Sequence, residues 1–363
     1  MNHHRWLRDM DWPLLVLTLG LCGLGALQIY SATLDTGFRD AIWKQMIWIA
    51  LGLSLLWAMM FIDYHWLLGQ VPLFYGVSVG LMLAVFAVGD KVFGSRRWIP
   101  LGGGVRFQIS EFAKIMVILL VARYLAEMKS DMLGGGDLAK LGGLLAIPTV
   151  LVMKQPDLGT SLTFVAIAGG GVLLVGLRWR YIMAIGLLGL ILAPVGWYLL
   201  KDYQKARLAS FMDPGRDPQG SGYQIIQSQI AIGAGGMWGR GVTRGTQTQL
   251  RFLPVPHTDF IFSAFAEEHG FVGVVFALLL YFLLLMQIVE NAQTAPDRAG
   301  MFVCMGVAVC LLFHVLVNVG MVVGRMPVTG IPLPFMSYGG SSTLAFFLML
   351  GLVNNVRLRR FVN

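Results

Sequence analysis

Four short stretches of this chain carry ionisable side chains or clustered prolines and glycines that an apolar sequence does not require. In one, Pro254 and Pro256 stiffen the approach, His257 and Thr258 follow, and Asp259 falls where a long apolar run begins. A carboxylate at that point has two readings. It can cap a helix by accepting from free backbone N–H groups, or it can take a proton from a reacting hydroxyl brought within hydrogen-bond reach. Glu267 and Glu268 stand about two turns further along, too deep to cap the same helix, and are expected to face a polar interior.

The other three stretches differ in make-up. In Ser110–Lys114, Glu111 and Lys114 are three residues apart and share a helix face. They form either a self-satisfied pair or a cation offered to an anionic lipid group. In Gln155–Thr160, Asp157 follows a proline between two apolar runs, as a turn-forming side chain or as a ligand contact. The segment from Met326 to Ser342 carries Pro327, Pro332 and Pro334 and then Gly339, Gly340, Ser341 and Ser342, a rigid and closely packed approach to a last helix. Residues 94–110 add Arg97. The runs Arg97–Leu101 and Val105–Ile109 around a triple glycine predict a small hairpin. There is no phosphate-binding glycine loop, no nucleophile elbow and no metal-ligand spacing. Cys22, Cys304 and Cys310 lie in apolar runs and read as small core residues. The residues call for no cofactor, although a divalent cation such as magnesium stays open.

The elements that position these groups are membrane spans. Of 363 residues, 56% are hydrophobic and 13% charged, about half the charge of an ordinary soluble domain. Apolar runs near the roughly 20 residues a span needs predict an all-α polytopic membrane protein with about ten transmembrane helices, at 12–31, 41–62, 67–89, 111–128, 139–153, 160–177, 181–200, 259–289, 300–323 and 336–356. The whole chain, 1–363, reads as one membrane domain, with a long extracytoplasmic loop, 201–258, between helices 7 and 8. Bases such as Arg178, Arg180, Arg298, Arg357 and Arg359 place both termini in the cytoplasm. Within the loop, Tyr223, Ile226 and Ile230 predict a helix over 221–232 lying on the membrane. The net charge of +8 sits in short gaps between spans, which fits an anionic membrane or lipid and not nucleic acid.

Taken in order, Arg97–Trp98–Ile99, Gln108 to Lys114, Gln155 to Thr160, His257 to Phe262 with Glu267 and Glu268, and Gly330 to Ser342 make the chain similar to the SEDS family (shape, elongation, division, sporulation) over nearly its whole length. The wording from Pro327 to Phe335 favours the elongation branch over the division branch. The resemblance implies a peptidoglycan glycosyltransferase that polymerises lipid II on the outer face of the bacterial cytoplasmic (inner) membrane. It also implies a class B penicillin-binding protein as transpeptidase partner, alongside other elongation-complex membrane proteins. An α-linked donor and a β-linked product suit one inverting displacement, with Asp259 as the natural base. Arg97, Lys114, Glu111, Asp157, His257 and Ser341 are expected at the substrate, Arg97 and Lys114 on its pyrophosphate. The rival reading is a lipid II flippase, whose charges would line a path through the membrane.

Overall fold

The computed structural model describes residues 8–34, 36–92, 95–102, 105–128, 132–200, 202–216, 220 and 222–360. Both chain ends and Gly103 and Gly104 of the triple glycine therefore lie outside the described residues. A helix forms on each expected apolar run. In order they are α1 (Trp12–Thr33), α2 (Ala41–Phe61), the short α3 (Tyr64–Gly69), α4 (Val71–Val88), α5 (Ile109–Ala126), α6 (Gly135–Lys154), α7 (Leu158–Val175) and α8 (Trp179–Leu199). The loop that follows holds α9 (Asp202–Met212), α10 (Tyr223–Gly235) and α11 (Thr246–Gln249). The chain ends with α12 (Ile261–Gln293), α13 (Arg298–Val322) and α14 (Gly340–Arg359). Eight of these helices are long and apolar enough to cross a membrane, and α5 and α8 occupy the other two expected spans. The protein is a multi-pass, mainly helical membrane protein.

The polar hairpin has one more strand than its sequence suggested. Strands β1 (Asp90–Val92), β2 (Ser95–Gly102) and β3 (Val105–Gln108) form an antiparallel sheet in that order. Trp98 lies opposite Gln108 and Ile99 opposite Phe107. Ile109 belongs to α5 and not to the strand, so β3 runs directly into the helix that carries Glu111 and Lys114.

Helices α5, α13 and α14 are inner spans, with most of their length buried inside the protein. The outer helices instead expose apolar side chains such as Val16, Trp43, Leu73, Leu173 and Phe282, the arrangement expected of surfaces facing lipid. Helix α14 approaches α2 so closely that a Cβ on Gly52 would lie 2.4 Å from the Phe347 ring. Helix α8 stands apart: Trp179, Met183, Leu187, Leu190, Ile191 and Tyr198 are all exposed.

The expected eighth span is two pieces. Gly270, at φ 65° and ψ −167°, interrupts α12 between a short segment, residues 261–269, and the long helix from Phe271. The glycine-rich loop supplies the missing backbone partners. The N–H groups of Arg240 and Gly241 donate to the carbonyls of Glu267 and Glu268 at 2.9 and 3.0 Å. Phe271 and Val272 donate in turn to the carbonyls of Gly236 and Met237, at 2.9 and 3.2 Å. Helix α10 docks on the short segment through Ser228, whose hydroxyl is 2.6 Å from that of Ser263. Its buried face is Ile225, Ser228, Ala231 and Gly235. The stripe expected to face the membrane, Tyr223, Ile226 and Ile230, is therefore not the face it buries.

Candidate active site

Asp259 sits on a strap whose main chain is fixed at successive carbonyls. The backbone N–H of Tyr338 donates to the carbonyl of His257 at 2.9 Å. The hydroxyl of Ser337 donates to that of Thr258 at 2.8 Å, and Asn318 Nδ2 donates to that of Asp259 at 2.9 Å. Ser337 and Tyr338 are set by the proline-rich segment: the Ser337 hydroxyl accepts from the N–H of Leu333 at 2.9 Å. Gln45 of α2 holds the next residue, accepting from the Gly339 N–H at 3.2 Å while its amide donates to Thr343 Oγ1 at 3.2 Å. Val255 and Phe335, at φ 45° and 66°, hold backbone angles that β-branched and aromatic residues rarely adopt. Tertiary contacts, not local propensity, shape both strands of this crossing.

The capping reading of Asp259 fails on geometry. The N-cap position of α12 is Phe260, and no side chain caps that helix. The carboxylate is half-buried beside Gly330, where an ideal Cβ would lie 3.5 Å from Oδ2. No ion pair closes on it among the described residues. Burial pushes its pKa above the ordinary carboxylate value, against the pull of the Arg207 and Arg97 guanidinium groups, and Asp157 adds a smaller upward push. His257, whose ring is 5.4 Å from Phe38 and 5.9 Å from Tyr338, has its imidazole pKa lowered by burial.

Arg97, Asp157 and Ser341 meet at the end of the sheet. Arg97 Nη1 is 3.8 Å from Asp157 Oδ1, and its other nitrogens donate to the carbonyls of Gln155, at 3.2 Å, and Pro156. Asp157 is the N-cap of α7, accepting from the N–H of Thr160 at 3.2 Å, so its turn-forming reading holds. It also accepts from Gln108 Nε2 at 3.0 Å. The N–H of Gln108 donates to Ser341 Oγ at 3.0 Å, which ties β3 to the start of α14. Arg207 on α9 donates to the carbonyl of Val328 at 3.1 Å, so a loop arginine joins the site.

Lys114 and Glu111 are paired with each other on α5. Both are buried, with Nζ 2.8 Å from Glu111 Oε2. Nζ is also 3.2 Å from His314 Nε2 and 5.2 Å from the Phe346 ring centroid. His314 Nδ1 is 3.1 Å from the carbonyl of Pro332, which makes Nδ1 the protonated nitrogen and leaves Nε2 to accept from the ammonium. Lys114 is thus a closed pair that braces the proline-rich segment through His314. Glu267 and Glu268 do face a polar interior, built for Glu267 by the loop and for Glu268 largely by α1. Glu267 accepts from the N–H groups of Gln247 at 2.7 Å and Thr248 at 3.1 Å, at the start of α11. Glu268 accepts from the hydroxyl of Ser31 at 2.5 Å and from Gln28 at 3.3 Å.

Asn318, His314 and Ser337 were missed as site residues. The readable signal was a lone amide and a lone imidazole, four residues apart, inside an apolar span. Among the described residues no three His, Cys, Asp or Glu side chains converge as a metal site.

The family model described as "Cell cycle protein", covering FtsW, RodA and SpoVE, matches residues 12–360. The peptidoglycan glycosyltransferase MrdB of Escherichia coli K12 is 42% identical over 355 residues, which cover 97% of this chain and 94% of that protein. A chain solved in a peptidoglycan synthase complex that coordinates polymerization and crosslinking superposes with a TM-score of 0.84 at 36% identity, covering 98% of this chain and 99% of that one. The rod shape determining protein RodA of Thermus thermophilus gives a TM-score of 0.72 at 32% identity, with 97% and 98% covered. Matched across both the sheet end and the Asp259 strap, this chain belongs to the FtsW, RodA and SpoVE family, the SEDS proteins.

Proposed function

We infer that this chain is a peptidoglycan glycosyltransferase that polymerises lipid II, with Asp259 as the general base. The observation that carries the assignment of the base is a carboxylate with no capping duty, held on a strap pinned at three successive carbonyls and set among arginines. In the reaction, the GlcNAc 4-oxygen attacks the anomeric carbon of the donor MurNAc. The new O–C bond forms as the bond to the lipid pyrophosphate breaks, and the hydroxyl proton passes to Asp259. Glycosidases need a second carboxyl group to protonate the leaving oxygen. Pyrophosphate leaves as an anion, so here cations serve instead. Arg97 and Arg207, which act on Asp259 by charge, are assigned to it. Lys114 and Glu111 support the site from behind through His314. His257, Asp157 and Ser341 line the approach.

The charged pair within the bundle is closed by its own partners, which favours a transferase over a flippase. The solved relative in a peptidoglycan synthase complex supports a partner that crosslinks the product, which we assign to a class B penicillin-binding protein. The positive-inside pattern supports ten spans in the bacterial inner membrane, both termini in the cytoplasm and 201–258 outside. The deciding experiment gives the purified chain lipid II and assays for glycan polymer. Polymer made by the parent protein supports the assignment, and none in the presence of the transpeptidase partner would overturn it.

A further inference from the structure

We propose that Asn318 is a positioning residue for Asp259, holding the backbone that carries the carboxylate; this rests on the reading of Asp259 as the base. Asn318 lies on α13 and is fully buried. Both protons of its amide are used. One goes to the carbonyl of Asp259 at 2.9 Å and the other to the carbonyl of Ile331 at 2.8 Å. A single side chain therefore spans the two strands that form the site, and Gly330, next to Ile331, is the residue packed against Asp259 Oδ2.

The arrangement around this amide is directional. One turn away on the same helix, His314 takes the next carbonyl, that of Pro332, and is itself held by Lys114. The carbonyls of His257 and Thr258 are fixed from the proline-rich segment, but that of Asp259 receives its donor from a different helix. Meanwhile Asn318 Oδ1, although buried, has no partner among the described residues. An amide kept in an apolar span with its acceptor unused is there for its two donors. Those donors set where the Asp259 main chain stops, and so where the carboxylate meets an incoming hydroxyl.

The test uses the full chain purified with its transpeptidase partner, with lipid II as substrate. Four proteins are compared: the parent, Asn318→Ala, Asp259→Asn and the double variant. Asn318→Ser, which keeps one donor, is included in case the alanine protein fails to fold. Misplacing a catalytic group by about 1 Å can cost on the order of 10²-fold. Asn318→Ala is therefore expected to lower kcat by about 10- to 100-fold with KM for lipid II little changed, and Asn318→Ser by less. Freed from its tether, the carboxylate relaxes towards Arg207 and Arg97, and the acid limb of the kcat–pH profile moves to lower pH. In the Asp259→Asn background the Asn318 change adds nothing. A merely structural role would lower activity only with the folded fraction, leave the acid limb in place, and multiply the loss in the double variant; any of these overturns the proposal. If Asp259→Asn alone retains the parent rate, the base assignment falls and the positioning role falls with it. If Asp259→Asn is inactive while Asn318→Ala and Asn318→Ser match the parent, only the positioning role is lost.

Discussion

Asp259 and the pair Glu267–Glu268 are carboxylates within ten residues of one another, on a single stretch of chain, and their surroundings are opposite. Glu267 receives two backbone N–H groups and the hydroxyl of Thr248, the last at 2.8 Å, and is completely buried. Glu268 receives Ser31, Gln28 and Gln249. At Asp259 the investment is in the main chain: every nearby hydrogen bond goes to a carbonyl, and the carboxylate oxygens are left to the arginine field. A buried carboxylate saturated with donors is a latch, because all its lone pairs are spent on holding neighbours. One whose backbone is immobilised while its oxygens stay unspent is ready to accept something that arrives. Residue type does not separate the two roles, but the distribution of partners does.

The sharpest way to break this contrast is Asp259→Asn. Asn keeps the size and an oxygen acceptor but cannot take a proton, and general-base catalysis is typically worth about 10²–10⁴-fold. Glycan made per enzyme from lipid II should fall by at least that lower bound, while expression and partner binding stay normal. A rate above about a tenth of the parent would show that the carboxylate is not the base.

At the latch the expected losses are of stability. Gly270 needs its φ of 65°, and a Cβ there would lie 2.2 Å from the Gly239 nitrogen. Gly270→Ala should therefore expel the 236–241 segment from the helix break and cost roughly 3 kcal/mol or more. Rapid proteolysis around Arg240 and Arg244 in detergent would report it. Glu267→Gln comes next. It keeps the shape but turns one acceptor oxygen into a donor facing donors, worth about 1.5–3 kcal/mol for bonds to a charged group. Its polymerisation should drop only in step with the folded fraction, judged by apparent Tm. A stably folded Glu267→Gln protein that lost more than about tenfold in rate would place Glu267 in the chemistry and erase the distinction.

Most of the scaffold was legible, because helical spans announce themselves by length and apolar content, and each expected run carries a helix. The motif residues were legible too, but not their division of labour. Glu111 and Lys114 were read as a pair or as an anion site, and only tertiary structure shows His314 and Phe346 closing around Lys114. The break at Gly270 was hidden because one glycine in an apolar run ordinarily signals close helix packing. Its meaning depends on four backbone hydrogen bonds from a loop some thirty residues earlier in the chain. Periodicity is local, whereas a broken helix that borrows its partners is a long-range event. The same holds for Asn318, which reads as one polar residue in a span until its two acceptors, 59 and 13 residues away, are in place.

The smallest expected effect tests the same contrast through stability instead of rate. Burial raises the Asp259 pKa in the folded protein above its unfolded value, so the fold favours the protonated form. The contribution of this group is then fully present below about pH 4, the unfolded carboxyl range, and is lost as pH rises through the folded value. No ion pair closes on this carboxylate among the described residues, so its ionised form is the one the fold disfavours. Asp259→Asn removes that charge and should be slightly more stable than the parent at pH 7, within the roughly 0.5–2 kcal/mol that single stabilising substitutions commonly give. The advantage should shrink as pH is lowered and vanish near pH 4. Apparent Tm in detergent, measured for both proteins across that interval, decides it. A saturated latch behaves in the opposite sense, since Glu267→Gln turns a fully partnered acceptor towards donors and should lower Tm. If Asp259→Asn also lowers Tm at pH 7, its carboxylate is held by partners after all, and the two sites are one kind of structure.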